Sequence, residues 1–322
     1  MGNVANYTTT LDMPERGRFW PALGRRSAFT GLGLFGVLLG GLPLWAARRV
    51  IYPFSTEPAI PDMVALEETL GVTPEKVEFE GRDGKMLSGW FVPAPEGTSR
   101  PGPCVVLVQG YGGYKEQMAG YARTVRDGGF SSLLFDTCGS GLRRGEPVTL
   151  GYKERWQLMD AVHYVRNRSD VDSERVGVLG VSMGAASALL AAAEDPSIKA
   201  IVSDSAYADL SEMIKPGLRA FVGSPSLLFA PLIVFYAETM LGLKSREIRP
   251  DLAAAHLGDR PVLVIHGADD GLTDPKAADA IYEAASGPKE LWVVPECQHG
   301  CAPLVAPEEY KRRVNSFFQR AL

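Results

Sequence analysis

A mostly parallel α/β sheet with helices on both faces is the fold class predicted for this chain, and three features predict it. Short apolar and β-branched runs recur along the sequence. From residue 104 onward most of them alternate with stretches of helical period. One run, VGVLGV from Val176, turns through a serine directly into an alanine-rich stretch. Strands that alternate with helices are joined by crossovers, and crossovers place helices on both faces of a parallel sheet.

Eight runs carry the strand signal, at residues 76–80, 87–92, 104–108, 131–135, 176–179, 200–203, 262–266 and 290–294. No helical stretch separates the first two, so an antiparallel entry hairpin is expected at the edge of an eight-stranded sheet. Between the fourth and fifth lies YKERWQLMDAVHYVRN, residues 152–167, with Trp156, Met159, Val162 and Tyr164 broadly on one helical face. The rhythm breaks between Asp204 and Val262. That interval holds FVGSPSLLFAPLIVFYAETMLG, residues 221–242, almost uncharged and interrupted by Pro225 and Pro231. It is too broken for a second membrane span. The expectation is a small apolar helical cap over 205–260, at the C-terminal edge of the sheet, or a membrane-facing surface.

The first strand is preceded by a different kind of sequence. Residues 27–47, SAFTGLGLFGVLLGGLPLWAA, contain no charge. As a helix they would extend about 31 Å, close to the thickness of a bilayer's hydrocarbon core. Arg25 and Arg26 flank one end, Arg48 and Arg49 the other, and Trp20, Trp45 and Tyr52 suit the two interfaces. Five glycines would weaken such a helix in water. A transmembrane anchor is therefore expected, with a cleaved signal peptide as the alternative that the small residues of LWAA keep open. Arg16, Arg18, Arg25 and Arg26 precede the span and two arginines follow it closely. The positive-inside rule then leaves the N-terminus in the cytoplasm and the remainder of a single-pass protein outside it. Gly36 and Gly40 form a G-x-x-x-G, the pattern of a helix-dimer face and the only hint of a homodimer. The expected organisation is a tail over 1–26, an anchor over 27–47, a Pro-rich connector over 48–75 that is briefly helical around DMVALEETLG, and one domain over 76–322.

Composition excludes some functions. With 322 residues, 46% hydrophobic content and a net charge of −5, the chain can bury a large core and carries no basic stripe for nucleic acid. Its four cysteines, Cys104, Cys138, Cys297 and Cys301, form no C-x-x-C pair, so zinc-ribbon and thioredoxin chemistry fail on spacing. Cys297 and Cys301 bracket His299 in CQHGC, a spacing open to a disulfide in an oxidising compartment rather than to a metal site. No metal or organic cofactor is implied.

Chemistry enters at Ser182. GVSMG is a G-x-S-x-G between a strand signal and a helix signal, the context this motif requires. A nucleophile on so sharp a turn exposes its oxygen and leaves no room for neighbouring side chains, hence Gly180 and Gly184. Ala185, Ala186 and Ala188 let the helix lie close to the sheet. A serine hydroxyl needs a base, and the base needs a group to orient it. Of four histidines, His163 falls within a helix, His256 in the cap and His266 at the end of a strand, while His299 lies in a loop after the last strand. The orienting acid is sought in PVLVIHGADDGLTDP, where spacing alone does not choose between Asp269 and Asp270, and Asp204 is a rival at the end of the preceding strand. For the developing oxyanion, the N–H of Met183 opens the helix, and the N–H of Tyr111 lies in the glycine-rich turn of VVLVQGYGGYKE.

These motifs together resemble the α/β-hydrolase superfamily over residues 76–322. The chain is most similar to membrane-anchored bacterial serine hydrolases related to the dienelactone-hydrolase and prolyl-oligopeptidase-like groups. The order Ser182, Asp270, His299 matches that family's order, and the family's H-G-x-x-D stretch implies Asp270 as the acid. DSAYADL (204–210) and GYKERWQLMDAVHYV also resemble its usual wording. Two departures stand out. The turn after the third strand reads Gln109-Gly110 where His-Gly is common, and the turn usually written D-x-R-G-H-G reads DTCGSG from Asp136. The resemblance implies a carboxylesterase-like serine hydrolase working through an acyl-enzyme, on an acyl or lipid ester or another small ester. The alternatives are a prolyl-oligopeptidase-like peptidase, for which no propeller partner is recognisable, and a catalytically silent hydrolase fold used for binding.

Overall fold

The computed structural model describes residues 37–53 and 62–322. The chain separates into two units, Met1–Leu42 and Pro43–Leu322. In the first unit the described part includes a π-helical turn, Val37–Gly41. Residues 27–36 of the expected span at 27–47 lie outside the described residues. The second unit carries the fold.

Eight strands appear where apolar runs occur: β1 (Glu75–Glu80), β2 (Met86–Val92), β3 (Gly102–Val108), β4 (Ser131–Phe135), β5 (Val171–Val181), β6 (Ala200–Asp204), β7 (Val262–Gly267) and β8 (Lys289–Val294). They form one sheet in the order β1-β2-β4-β3-β5-β6-β7-β8. The β1–β2 hairpin is antiparallel and lies at the edge, β2 pairs antiparallel with β4, and the remaining pairs are parallel. Burial follows from this placement. In β1 only Val77 and Phe79 turn inward while Glu78 and Glu80 face water. Central β3 is buried at every residue from Cys104 to Val108, as a strand covered on both faces must be. β5 begins five residues earlier than its apolar run, because Val171 pairs with Gly102 across an irregularity that the polar DSER stretch does not announce.

Helices cover both faces. On one, Leu158 and Val162 of α4 (Glu154–Arg166), Ala188 of α5 (Met183–Glu194) and Ile281 of α9 (Lys276–Ala284) share a core with Val106 and Val178. On the other, Ala122 and Val125 of α3 (Ala119–Asp127) and Phe317 and Phe318 of α10 (Pro307–Ala321) meet Val105, Leu107 and Leu179. Ahead of the sheet, α1 (Leu42–Ile51) is followed by α2 (Met63–Leu70). Asp62 caps α2 by accepting the Val64 and Ala65 N–H groups at 3.1 Å, and Gly71 at φ 68° ends it.

Between β6 and β7 the chain runs through α6 (Leu210–Phe221), a 3-10 turn (Ser224–Phe229), α7 (Ala230–Leu241) and α8 (Pro250–Ala254). Leu218 of α6 and Ala230 and Ile233 of α7 form a separate apolar cluster with Ala46 and Ala47 of α1. Among the described residues, Ser224–Leu241 is the one helical stretch long and apolar enough to cross a membrane, with a mean hydropathy of 1.4. Only 17% of it is buried.

Candidate active site

Ser182 stands between β5 and α5 with φ 58° and ψ −119°. A non-glycine residue in that region costs on the order of 1–3 kcal/mol and persists only when its surroundings hold it. Here the Ser182 N–H donates to the Asp204 carbonyl at 2.8 Å, and the Ser182 carbonyl accepts the Ala186 N–H at 3.1 Å. The two neighbouring glycines are steric necessities. A Cβ on Gly184 would lie 2.3 Å from the Val108 carbonyl oxygen, and one on Gly180 would lie 2.3 Å from the Gly184 backbone.

The loop after β8 brings His299 to this corner. Its Nε2 is 2.7 Å from Ser182 Oγ, and its Nδ1 is 2.7 Å from Asp270 Oδ2. The tautomer that satisfies both contacts has Nδ1–H donating to the carboxylate and Nε2 accepting from the serine hydroxyl. The His299 loop is held on each side. Cys297 and Cys301 form a disulfide with their Cα atoms 5.8 Å apart. The Gly300 N–H donates to Ser205 Oγ at 3.1 Å, and that hydroxyl donates to Asp204 Oδ1 at 2.9 Å.

The three candidate carboxylates occupy different surroundings. Asp269 is exposed. Asp204 is buried, and burial pushes its carboxyl up to about 6, with the Ser205 hydroxyl only partly offsetting it. Asp270 is the carboxylate that meets His299. Burial alone would raise its pKa, but hydrogen bonds from His266 and His299 and from the Thr273 N–H outweigh it and hold the carboxyl well below the usual range. Its Oδ1 accepts the Leu272 and Thr273 N–H groups, both at 2.9 Å, while His266 Nε2 lies 3.2 Å from Oδ2.

The turn after β3 lies against Ser182, since a Cβ on Gly110 would sit 3.3 Å from Ser182 Cβ. Tyr111, Ser182 and Met183 line one cavity that opens to solvent, with about 910 Å³ of empty space counted together with its open mouth. Its other walls are apolar and include Leu150, Met213, Phe221, Ile233 and Leu241.

A model of the X-Pro dipeptidyl-peptidase (S15) family matches residues 86–224, a stretch that includes Ser182 and ends before Asp270 and His299. The chain is 29% identical to the uncharacterised protein YqkD of Bacillus subtilis over 199 residues, 61% of this chain and 65% of that one, just under two thirds of its length. It is also 29% identical to an uncharacterised protein of Mycobacterium tuberculosis over 258 residues, 80% of this chain and 82% of that one. Among solved structures, the Pyrococcus furiosus esterase Pf2001 superposes with a TM-score of 0.68 at 25% identity, covering 84% of this chain and 98% of that one.

The chain belongs to the α/β-hydrolase superfamily.

The two unusual turns are satisfied by partners within the domain. Gln109 is buried, and with its amide nitrogen donating to the Phe135 carbonyl at 3.0 Å its oxygen accepts the Thr137 N–H at 3.1 Å. It ties the turn after β3 to the turn after β4 instead of facing the cavity. In the second turn, Asp136 pairs with Lys115, Cys138 Sγ lies 3.0 Å from Glu154, and Ser140 Oγ donates to the Thr137 carbonyl at 3.0 Å. Among the described residues, no group of three or more His, Cys, Asp or Glu side chains could hold a metal ion.

Three residues at the hydrolase site escaped sequence reasoning. His266 touches Asp270 from four positions upstream, a spacing that HGADD carries in plain view. Ser205, at φ 58°, braces the His299 loop; it lies in the DSAYADL stretch, whose resemblance assigned it no role. Val50 of α1 lines the cavity, and its carbonyl accepts the Tyr111 hydroxyl at 2.7 Å. That contact spans 61 residues and has no local trace.

Proposed function

We propose that this hydrolase cleaves carboxylic esters through an acyl-enzyme formed on Ser182. His299 Nε2 takes the hydroxyl proton as Ser182 Oγ attacks the carbonyl carbon, and Asp270 keeps the imidazole in the required tautomer. The N–H groups of Met183 and Tyr111 receive the oxyanion. His299 then protonates the departing alcohol, and water repeats the sequence in reverse to release the acid. The observation that carries this reading is the unbroken line of two 2.7 Å contacts from Ser182 through His299 to Asp270, at the wall of an apolar cavity.

The apolar walls favour an acyl chain, since each methylene removed from water contributes about 0.8 kcal/mol. In this reading residues 76–322 are the catalytic domain, 205–260 its cap, and 27–47 a membrane anchor that leaves the domain outside the cytoplasm. The Cys297–Cys301 disulfide suits an oxidising compartment.

A peptidase reading is favoured by the S15 family match over residues 86–224. A panel of p-nitrophenyl esters of increasing chain length, set beside X-Pro dipeptide anilides, separates the two. The expected result is Ser182-dependent turnover of the esters, rising with chain length, and no cleavage of the anilides. The reverse pattern would replace the esterase reading with the peptidase one.

A further inference from the structure

The clearest unexplained feature is the outer face of the cap. From Ala220 to Ala237 there is no charged residue, yet Leu228 is 82% and Phe235 58% exposed. A helix of a water-soluble domain keeps a polar face toward solvent, and α7 has none over its first two turns. Neither residue lines the catalytic cavity, so substrate binding does not account for them.

What covers this face follows from where the uncharged run ends. Ala46 and Ala47 are its last two residues, and both are buried in the cluster formed by Leu218, Ala230 and Ile233 of the cap. Leu44 and Trp45, immediately before them, are exposed, with Trp45 at 55%. An indole at the end of an apolar span is a typical interface residue. The cap is therefore packed on Ala46 and Ala47, the last two residues of the proposed anchor. Exposed Arg48, Lys215 and Arg219 flank the apolar elements in sequence, as cations facing lipid headgroups do. The same helix reaches the chemistry. Val50 lines the cavity that holds Ser182, and Phe221, 42% exposed at the cavity's edge, lies 4.7 Å from the Tyr111 ring.

We infer that the 3-10 turn Ser224–Phe229 and α7 are seated in the interface of the bilayer that the anchor crosses, so that a membrane-resident acyl ester enters the Ser182 cavity from the lipid side. This rests on the anchor and the hydrolase activity proposed above. The occupant is the bilayer surface, not a second copy or another protein, because the anchor delivers that surface to Ala47 whatever else binds.

The test uses the full chain in vesicles of phosphatidylcholine with a minor share of phosphatidylglycerol. Flotation reads membrane attachment, and a chain that does not float overturns both anchor and inference. A nitroxide is attached through Leu228→Cys and, for reference, through exposed Glu174→Cys near the start of β5, the end of that strand away from Ser182. Cys104 and Cys138 are buried and Cys297 and Cys301 are bridged, so the new thiol reacts selectively. The label at 228 should be reached by oxygen and shielded from a water-soluble nickel chelate, and the label at 174 should show the opposite. A Leu228→Glu/Phe235→Glu variant should turn over a long-chain ester dispersed in the vesicles about tenfold more slowly, with p-nitrophenyl acetate unchanged. A 228 label open to the nickel chelate, spin–spin broadening between two copies, or equal loss on both esters would overturn the inference. Absence of any Ser182-dependent hydrolysis would defeat the hydrolase reading and substrate entry together, while label depth would still decide where the cap sits.

Discussion

Asp204 and Ser182 are joined through the backbone, the Ser182 N–H donating to the Asp204 carbonyl at 2.8 Å, whereas the carboxylate that meets His299 belongs to Asp270. One aspartate thus holds the shape of the turn at Ser182 while another faces the imidazole.

Isosteric amides separate these roles. Asp270→Asn should lower turnover by about two orders of magnitude or more with the fold intact, because an amide can stabilise the wrong tautomer of His299. In a chymotrypsin-like serine protease the equivalent change costs about four orders of magnitude. Asp269→Asn, at an exposed position, should stay within about twofold of wild type. Steady-state kinetics of the purified variants on one activated ester check this.

Asp204 should reveal itself in stability rather than rate. Its folded pKa is raised to about 6 from the ordinary carboxylate value of 3.8. Between those values the folded chain keeps a proton that the unfolded chain has released, so this group's contribution to stability falls as pH rises through the window and is constant above it. Two pKa units correspond to about 3 kcal/mol. Asp204→Asn removes the effect while keeping an acceptor for the Ser205 hydroxyl. Relative to wild type it should gain about 2–3 kcal/mol between pH 4 and pH 8, read from denaturant unfolding at each pH.

Two glycines give opposite signs. Gly184→Ala would drive a Cβ to 2.3 Å from the Val108 carbonyl and 2.6 Å from that of Gln109, both backbone atoms that cannot swing aside. A loss of about 1–3 kcal/mol or more is expected, with turnover falling because the turn bearing Tyr111 must shift. Gly120→Ala, in α3 with nothing within 4 Å of its Cβ, should stabilise by about 0.5–1 kcal/mol. Thermal unfolding of the two variants reads both.

The cavity predicts chain-length selectivity. Ala237 lines it, and Ala237→Trp would fill much of the acyl space. The ratio kcat/KM should fall about tenfold for a decanoate ester and less than about twofold for an acetate, a discrimination of about 1 kcal/mol. Steady-state kinetics on the two esters measure it.

The eight strands were legible because a sheet covered on both faces requires apolar runs, and those runs stand out between polar turns. Only the start of β5 was obscured, where pairing with Gly102 extends a strand into polar DSER. The corner at Ser182 was legible for a steric reason, since only glycine fits at 180 and 184. The acid was not fixed by spacing. Asp269 and Asp270 are neighbours, and what separates them is the turn at Leu272 and Thr273, whose N–H groups both close on Asp270. Gln109 stands where the family's turn commonly carries a histidine. Its amide faces Phe135 and Thr137, a contact set by the pairing of β3 with β4. Val50 and Ser205 act through long-range contacts, which leave no periodicity to read.

The central claim is that Ser182 is the nucleophile. A fluorophosphonate probe reacts only with a serine whose hydroxyl is activated by a neighbouring base. Applied to the folded full-length chain and followed by peptide mass spectrometry, it should place one adduct on Ser182. The adduct should disappear in Ser182→Ala and be strongly reduced in His299→Ala. An adduct on another residue, or none on a demonstrably folded chain, would contradict the account.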